Sequence, residues 1–276
     1  MPDGAFRRVR ADCHIVNRIA LHESTAPGVA PHGLVDIARR AGFDSIGLKV
    51  SHSAGADVWW HKGAGSAELA AVVEHLLANR VSVLDVGRVE LGRRRNDDSY
   101  RTVLDLASRL GARYVTASPV PVAEQTVAPD DEFARLVRDC DDYMLVPLLL
   151  PSPGSSLPTH QKALEVVRGV GGAVIVTATT DQSAFEIESQ VLEAGNRLGY
   201  VRLLAEQLEA TTEDESAGLL ATVPAHVPVA VGSLAQGDRH NLETRAHRWS
   251  TLVDLMLEHP LARDRRLALG LDPERS

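Results

Sequence analysis

The segment LVDIARRAGFDSIGLK, residues Leu34–Lys49, contains the pattern that decides the fold. Its first half has apolar residues at helical spacing and ends in two arginines, which suit the carboxyl end of a helix dipole. Gly42 follows, where a left-handed cap residue is wanted, and a short apolar run then predicts a buried strand. The segment therefore predicts one helix–turn–strand unit of an α/β protein.

The same unit recurs along the chain, and Gly111 and Gly199 mark further helix-to-strand turns. Eight apolar segments alternate with eight amphipathic ones, which predicts a parallel sheet, and eight strands close a (β/α)8 TIM barrel. The predicted strands are Asp12–Leu21, Ser45–Ser51, Ser82–Val86, Tyr114–Ser118, Met144–Leu150, Ala173–Thr179, Tyr200–Ala205 and Val227–Ser233. The predicted helices are His32–Ala41, Ala67–Asn79, Asp98–Leu110, Asp131–Asp141, Pro158–Val170, Ala184–Leu198, Glu213–Ala221 and Leu242–Glu258.

A doubly wound open sheet is the alternative to a barrel. No Gly-rich dinucleotide fingerprint follows the first predicted strand, which disfavours the open sheet. The length of 276 residues suits one α/β barrel, which typically takes about 250. No linker or repeat divides the chain, so we expect a single domain over residues 1–276, with residues 261–276 as a charged C-terminal tail.

Charge and composition exclude several classes of function. The formal net charge is −8, from 29 basic and 37 acidic residues, so nucleic acid is a poor partner. The two cysteines, Cys13 and Cys140, lack the spacing of a disulfide framework or a zinc site. No run approaches the ~18 apolar residues of a membrane span, and the N-terminus lacks the apolar stretch of a signal peptide. We expect a cytoplasmic protein without a membrane partner, and a homodimer stays open.

Three segments resemble a known family in their order and spacing. Leu34–Lys49 resembles the first helix and second strand of the sugar phosphate isomerase/epimerases, which are xylose isomerase-like TIM barrels. The segments 80–86 and 100–115 are similar to their third strand, third helix and fourth strand. The resemblance covers nearly the whole chain and implies the barrel fold and a small sugar-like substrate.

The resemblance also implies a divalent cation held by Glu, Asp, His and Glu at the carboxyl ends of the later strands. This chain has Leu148–Leu150 on the fifth strand, Val176–Thr180 on the sixth, Ala205 on the seventh and Gly232 on the eighth. Leu, Ala and Gly side chains cannot ligate a metal, and a Thr hydroxyl is a poor ligand for an isolated divalent ion. We therefore expect no metal site and no cofactor.

Lys49 is the residue hardest to explain as packing. It continues the alternation of Ser45 and Gly47, which by analogy with the family faces the barrel interior. A buried ammonium is costly unless it is paired, and burial would lower its pKa toward that of a base or an imine-forming amine. Asp85 on the adjacent strand is the expected partner, in either a structural ion pair or a catalytic or ligand-binding pair. The remaining alternative is that these side chains face outward.

Further polar residues are predicted at the strand ends and in the following loops, where barrels carry their functional groups. We predict His52 as a general acid or base and Glu206 as another catalytic group. His14 is either a hydrogen-bonded core residue or a substrate contact. Trp59 or Trp60 suits stacking on a ring-shaped substrate at the barrel mouth, and the alternative is a Trp packed on the outside of the second helix or at a subunit contact. The remaining predicted substrate contacts are Arg88, Thr177 and Arg202.

Arg202 has two interpretations at the end of the seventh predicted strand. Its guanidinium suits bidentate binding of a carboxylate or phosphate. It equally suits an ion pair with Glu206 or Asp181.

These residues favour a metal-independent isomerase-, epimerase- or lyase-like enzyme that transfers protons on a small oxygen-rich or ring-shaped metabolite. The first alternative is a non-catalytic barrel that binds a ligand or a partner subunit. The second is a metal-dependent sugar (phosphate) isomerase or epimerase, which requires a histidine to converge with the carboxylates of Glu90, Asp181 and Glu206.

Overall fold

The computed structural model describes residues 19–50, 67–93, 97–210, 220–233 and 241–271. Within these ranges eight parallel strands close a barrel in sequential order. The strands are β1 Ile19–His22, β2 Ser45–Lys49, β3 Ser82–Leu91, β4 Tyr114–Pro119, β5 Val146–Leu149, β6 Ala173–Ala178, β7 Leu198–Leu204 and β8 Val229–Gly232. Ile19 on β1 pairs with Val229 on β8, so the predicted TIM barrel is confirmed and the open sheet is wrong.

Helices alternate with the strands and cover the outside of the barrel. They are α1 Pro31–Ala41, α2 Ala67–Asn79, α3 Asp97–Arg109, α4 Pro129–Tyr143, α5 His160–Val170, α6 Ala184–Ala194, α7 Ala205–Ala210, α8 Leu242–Glu258 and α9 Pro260–Ala268. The predicted bounds of α2 and α8 match to the residue, because both segments carry a continuous apolar face without an internal Gly or Pro.

Three predicted elements differ from the structure. The seventh helix was expected at Glu213–Ala221, but α7 follows β7 directly from Ala205, while 211–219 lie outside the described ranges and Leu220 and Ala221 form a turn. Gly199 lies within β7, and the preceding helix ends in a 3-10 turn at Gly195–Arg197.

The C-terminal segment was expected to be a loose tail, but its first part forms α9. Within α9, Ala262 and Arg266 are buried, and Arg266 Nη2 donates to the carbonyl of Leu257 at 2.8 Å. The segment alternates charged and apolar residues, and its few apolar side chains are enough to pack it against α8.

Two cores hold the barrel together. The larger one lies between strands and helices and consists mainly of Val, Leu, Ala and Ile. The smaller one comes from the strands and the residue after β5, so it fills the inside of the barrel. Tyr114 and Tyr200 are its largest members; their rings lie 6.2 Å apart, and Tyr114 Oη donates to the carbonyl of Gly199 at 3.1 Å. The inside of the barrel is therefore packed, with polar groups above this layer.

A β-bulge on β3 decides which side chains enter the barrel. Ile46 pairs with Val83, whereas the next residue, Gly47, pairs with Asp85, so Leu84 is an extra residue on β3. Leu84 packs in the inner core, and Asp85 is fully buried beside it. Strict alternation would have sent one of these two neighbours to the outside.

None of the helices in the described ranges is long and apolar enough to span a membrane.

The buried His160 at the start of α5 predicts a pH-dependent stability. Burial lowers its pKa below 6.5, with Glu193 opposing the shift. Below pH 6.5 the unfolded chain therefore binds more protons at this site, so stability falls as the pH drops from 7 toward 5, by at most about 1.4 kcal/mol per pH unit for one proton. His160→Gln should reduce this slope in urea unfolding. His247→Gln, which changes an exposed histidine, should not, and equal slopes for all three proteins would contradict the prediction.

Candidate functional site

The carboxyl ends of the eight strands meet at one mouth of the barrel, where TIM barrels carry their sites. His22 ends β1 at this mouth and is partly buried. Ser24 N–H donates to His22 Nδ1 at 3.1 Å, and Ser24 Oγ lies 2.9 Å from the same nitrogen. Because Nδ1 accepts a hydrogen bond from the backbone N–H of Ser24, the neutral ring carries its own proton on Nε2.

Asp85 is the buried carboxylate of the site, with no exposed surface. Its Oδ2 accepts hydrogen bonds from Thr116 Oγ1 at 2.7 Å and from Tyr200 Oη at 3.1 Å. Its Oδ1 has no hydrogen-bond partner among the described residues. Two neutral hydroxyls thus hold one oxygen of the carboxylate, and the other faces the space beside His22.

Gly47 makes the approach of His22 and Asp85 possible. A Cβ on this residue would overlap both Asp85 Oδ1 and the His22 ring at Cδ2. Gly47 on β2 pairs in register with His22 on β1 and with Asp85 on β3, so it lies between them in the barrel wall. Any larger residue at this position would push the imidazole and the carboxylate apart.

Lys49 lies two residues beyond Gly47, on the same side of β2, but its side chain is exposed. The expected burial of Lys49 is therefore wrong, because the strand ends at this residue and the ammonium reaches past the barrel wall. No ion pair within 4 Å joins Lys49 to Asp85, although the structure describes both. The expected structural pair is also wrong, while a catalytic role for either residue stays a prediction.

Glu23 follows His22 and was not identified from the sequence. Its Oε2 accepts a hydrogen bond from the backbone N–H of Lys49. Burial raises the pKa of this carboxyl, with the Lys49 backbone and ammonium opposing the shift and Asp85 adding to it. Glu23 is thus partly exposed, and the pKa of its carboxyl is raised toward neutral pH, as a general acid or base requires.

The pKa of His22 moves in the opposite direction. Burial lowers it, Asp85 opposes the shift, and the cations of Arg202, Lys49 and Arg88 lower it further. A neutral imidazole with its proton on Nε2 is a hydrogen-bond donor and a candidate general acid. Neighbouring titratable groups whose pKa values are shifted in opposite directions are typical of acid–base pairs in enzymes.

Arg202 on β7 enters the barrel from the other side. Its Nη2 donates to Thr177 Oγ1 on β6 at 3.2 Å, and its aliphatic part covers Gly232 on β8. No ion pair with Glu206 or Asp181 forms within 4 Å among the residues that the structure describes, so the predicted ion-pair interpretation is wrong. The contact with Thr177 brings two of the predicted substrate contacts together.

The other predicted residues fall in different places. Glu206 lies in the first turn of α7 and accepts a hydrogen bond from Ser233 Oγ after β8. Arg88 is exposed on β3. The predicted residues outside the described ranges are His14, His52, Trp59 and Trp60. Their roles stay predictions.

His22 and Glu23 were missed because the first strand was predicted to end at Leu21, one residue before β1 ends. The prediction began it at residue 12 and put His14 in its middle, whereas its described part is the apolar run Ile19–Leu21 followed by His22. A short apolar run followed by His-Glu-Ser is the signal of a strand end with functional groups, and the longer apolar stretch before it hid this signal.

The metal implied by the family does not fit these residues. In the described part of the chain, no group of three or more His, Cys, Asp or Glu side chains is placed to hold a metal ion. Glu90 pairs with Arg93 at 3.1 Å, and Asp181 is exposed after β6, where a hydrogen bond from Thr179 lowers its pKa. The space above Gly232, where the family would carry a Glu, is filled by the side chain of Arg202.

Gly47→Ala should destabilise the protein by about 1–3 kcal/mol, because the new methyl group must displace His22 or Asp85. The matched control is Gly169→Ala in α5, where a Cβ meets nothing within 4 Å, and this change should stabilise the helix by up to about 1 kcal/mol. Chemical unfolding of both variants tests the arrangement. A Gly47→Ala protein as stable as its parent would show that His22 and Asp85 do not pack against Gly47 as described.

Comparisons with known proteins agree with this architecture. No family model matches the sequence, and no curated protein matches it. A xylose isomerase-like TIM barrel/4-hydroxyphenylpyruvate dioxygenase fusion protein superposes with a TM-score of 0.67 at 16% identity over 95% of this chain. This chain spans 46% of the fusion protein.

Two shorter proteins match along nearly their whole length. A xylose isomerase domain containing protein from Salmonella typhimurium has a TM-score of 0.61 at 15% identity, covering 88% of this chain and 98% of its own. A xylose isomerase domain protein from Alicyclobacillus acidocaldarius has a TM-score of 0.57 at 15% identity, covering 87% and 99%. At these identities the likeness establishes the fold, and this chain has the fold of the xylose isomerase-like TIM barrels.

Proposed function

We propose that this protein is an isomerase-, epimerase- or lyase-like enzyme that transfers protons on a small oxygen-rich metabolite without a metal ion. The observation that carries the proposal is the meeting of His22 and Glu23, at the end of β1, with Asp85, which follows the bulge in β3. Isomerisation, epimerisation and elimination next to a carbonyl all need a group that removes a proton and a group that donates one.

The geometry supports different roles for the three residues. Glu23 is partly exposed and has a raised pKa, so its carboxylate is the proposed base. His22 donates from Nε2 to the substrate oxygen on which charge develops. Asp85 is too deeply buried to touch a substrate, so it acts on the charge of His22 as a positioning residue.

The charges at the mouth support metal independence. Arg202, Lys49 and Arg88 each act on His22 as positive neighbours. A divalent cation placed among them would meet repulsion, and the missing family ligands leave few oxygens to offset it. Cationic side chains supply the electrostatic stabilisation of a developing oxyanion that the metal supplies in the family.

A non-catalytic, ligand-binding barrel is the second candidate, because the fifth strand contributes only apolar groups. Leu148 and Leu150 are buried in the inner core, on the side of the barrel where the family carries a metal ligand. A barrel that binds a partly apolar ligand would keep such residues and would need no proton transfer.

Deuterium incorporation tests the proposal. The protein is incubated in D2O, with EDTA, against a panel of pentoses, hexoses, their phosphates and small hydroxy and keto acids, and the products are measured by mass spectrometry. We expect one class to gain deuterium, and Glu23→Gln should slow this exchange by about 100-fold or more. Glu165→Gln, which changes an exposed carboxyl on α5, is the matched control and should exchange as the parent does.

Two outcomes would contradict the proposal. Exchange that appears only after Mg, Mn or Zn is added would favour the metal-dependent alternative. Binding of a panel member without exchange under any condition would favour the non-catalytic barrel.

A further inference from the structure

The cations at the mouth lack the partners that cations elsewhere in the structure have. Arg40 pairs with Glu243 and Arg245 with Glu209, each at 2.8 Å. Among the described residues, no carboxylate lies within 4 Å of the charged nitrogens of Lys49, Arg88 or Arg202. Three positive side chains thus lie near His22 without an ion pair to a carboxylate among the described residues, and Asp85 and Glu23 supply the nearby negative charge, in a protein of net charge −8.

Arg202 is the member of this group with a fixed position. Its Cδ would lie 2.9 Å from a Cβ on Gly232, so the missing side chain of Gly232 provides the channel in which Arg202 lies. Thr177 Oγ1 accepts from Nη2 at 3.2 Å and fixes the guanidinium plane. Preorganisation of this kind reduces the entropy lost when a ligand binds.

The guanidinium also has unused hydrogen-bonding capacity. Arg202 Nε is buried and has no acceptor within the described ranges. A buried donor without an acceptor costs about 1–3 kcal/mol, and native structures keep few of them unless they serve a purpose. A fixed guanidinium with spare donors and no carboxylate partner is what recognition of an external anion requires.

We propose that Arg202, held by Thr177, is the anchor of an anion-binding subsite, so that the substrate carries a phosphate or carboxylate group. The inference rests on the proposed function and names the substrate class of that site. The reacting carbon lies toward His22 and Glu23, and the anionic group lies toward β6, β7 and β8. Lys49 and Arg88 draw the anion to the mouth from the side of β2 and β3.

Titration of the 15N-labelled full chain, followed by NMR, tests the inference with inorganic phosphate, malonate and neutral xylose. The parent protein should bind phosphate or malonate more tightly than xylose, with amide shifts at Thr177 and Gly232. Arg202→Gln should weaken the preferred anion at least tenfold. Arg113→Gln is the matched control, because this exposed arginine lies at the opposite end of the barrel beside Tyr114. The Arg113→Gln protein should bind the preferred anion with the affinity of the parent.

The outcomes separate the two kinds of anion and test the site. Tighter binding of phosphate identifies a phosphate ester as the substrate class, and tighter binding of malonate identifies a carboxylate. Equal affinity in the parent and in Arg202→Gln, or no anion binding by the parent, overturns the inference. If Arg202→Gln does not fold, Thr177→Val removes the contact that fixes the guanidinium and should weaken binding severalfold.

The inference and the proposed function fail in different ways. Glu23→Gln should lose deuterium exchange and still bind the anion as the parent does. Anion binding that depends on Arg202 without any deuterium exchange would contradict the proposed enzyme activity and support the anion-binding subsite. Deuterium exchange on a neutral sugar without anion binding would contradict the anion-binding subsite and support the proposed enzyme activity.

Discussion

The buried carboxylate of Asp85 is the constraint on which the rest of the site depends. Burying a charge is costly unless hydrogen bonds and opposite charges compensate it. Thr116 and Tyr200 supply two hydroxyl donors to one oxygen, and no cation lies in direct contact within the described structure. The cations at the mouth act on His22, which lies beside the second oxygen of this carboxylate.

Two glycines shape the space around His22. Gly47 lets the imidazole and Asp85 approach each other, and Gly232 lets Arg202 extend across the inside of β8. In the family that this chain resembles, the position of Gly232 carries a metal-binding Glu. A glycine at this position therefore does more than remove a metal ligand, because the missing side chain also leaves room for the side chain of Arg202.

The polar groups at the mouth come from strands on either side of the β1–β8 pairing, away from β5. His22, Lys49 and Asp85 come from β1 to β3, and Arg202 comes from β7, whereas β5 and the residue after it contribute Leu148 and Leu150. This asymmetry suits a substrate with a polar, anionic part and a less polar part that faces β5.

The sequence by itself determined the barrel, because eight apolar runs separated by amphipathic segments satisfy their hydrogen bonds and bury their faces in few other ways. It also pointed to Lys49, Asp85, Thr177 and Arg202 as residues at strand ends. The tertiary structure decided their contacts. The bulge at Leu84 and the early end of β2 are results of packing between strands, and a shift of one residue changes which side chain faces inward. For that reason the exposure of Lys49, and the place of His22 beside Asp85, followed only from the folded barrel.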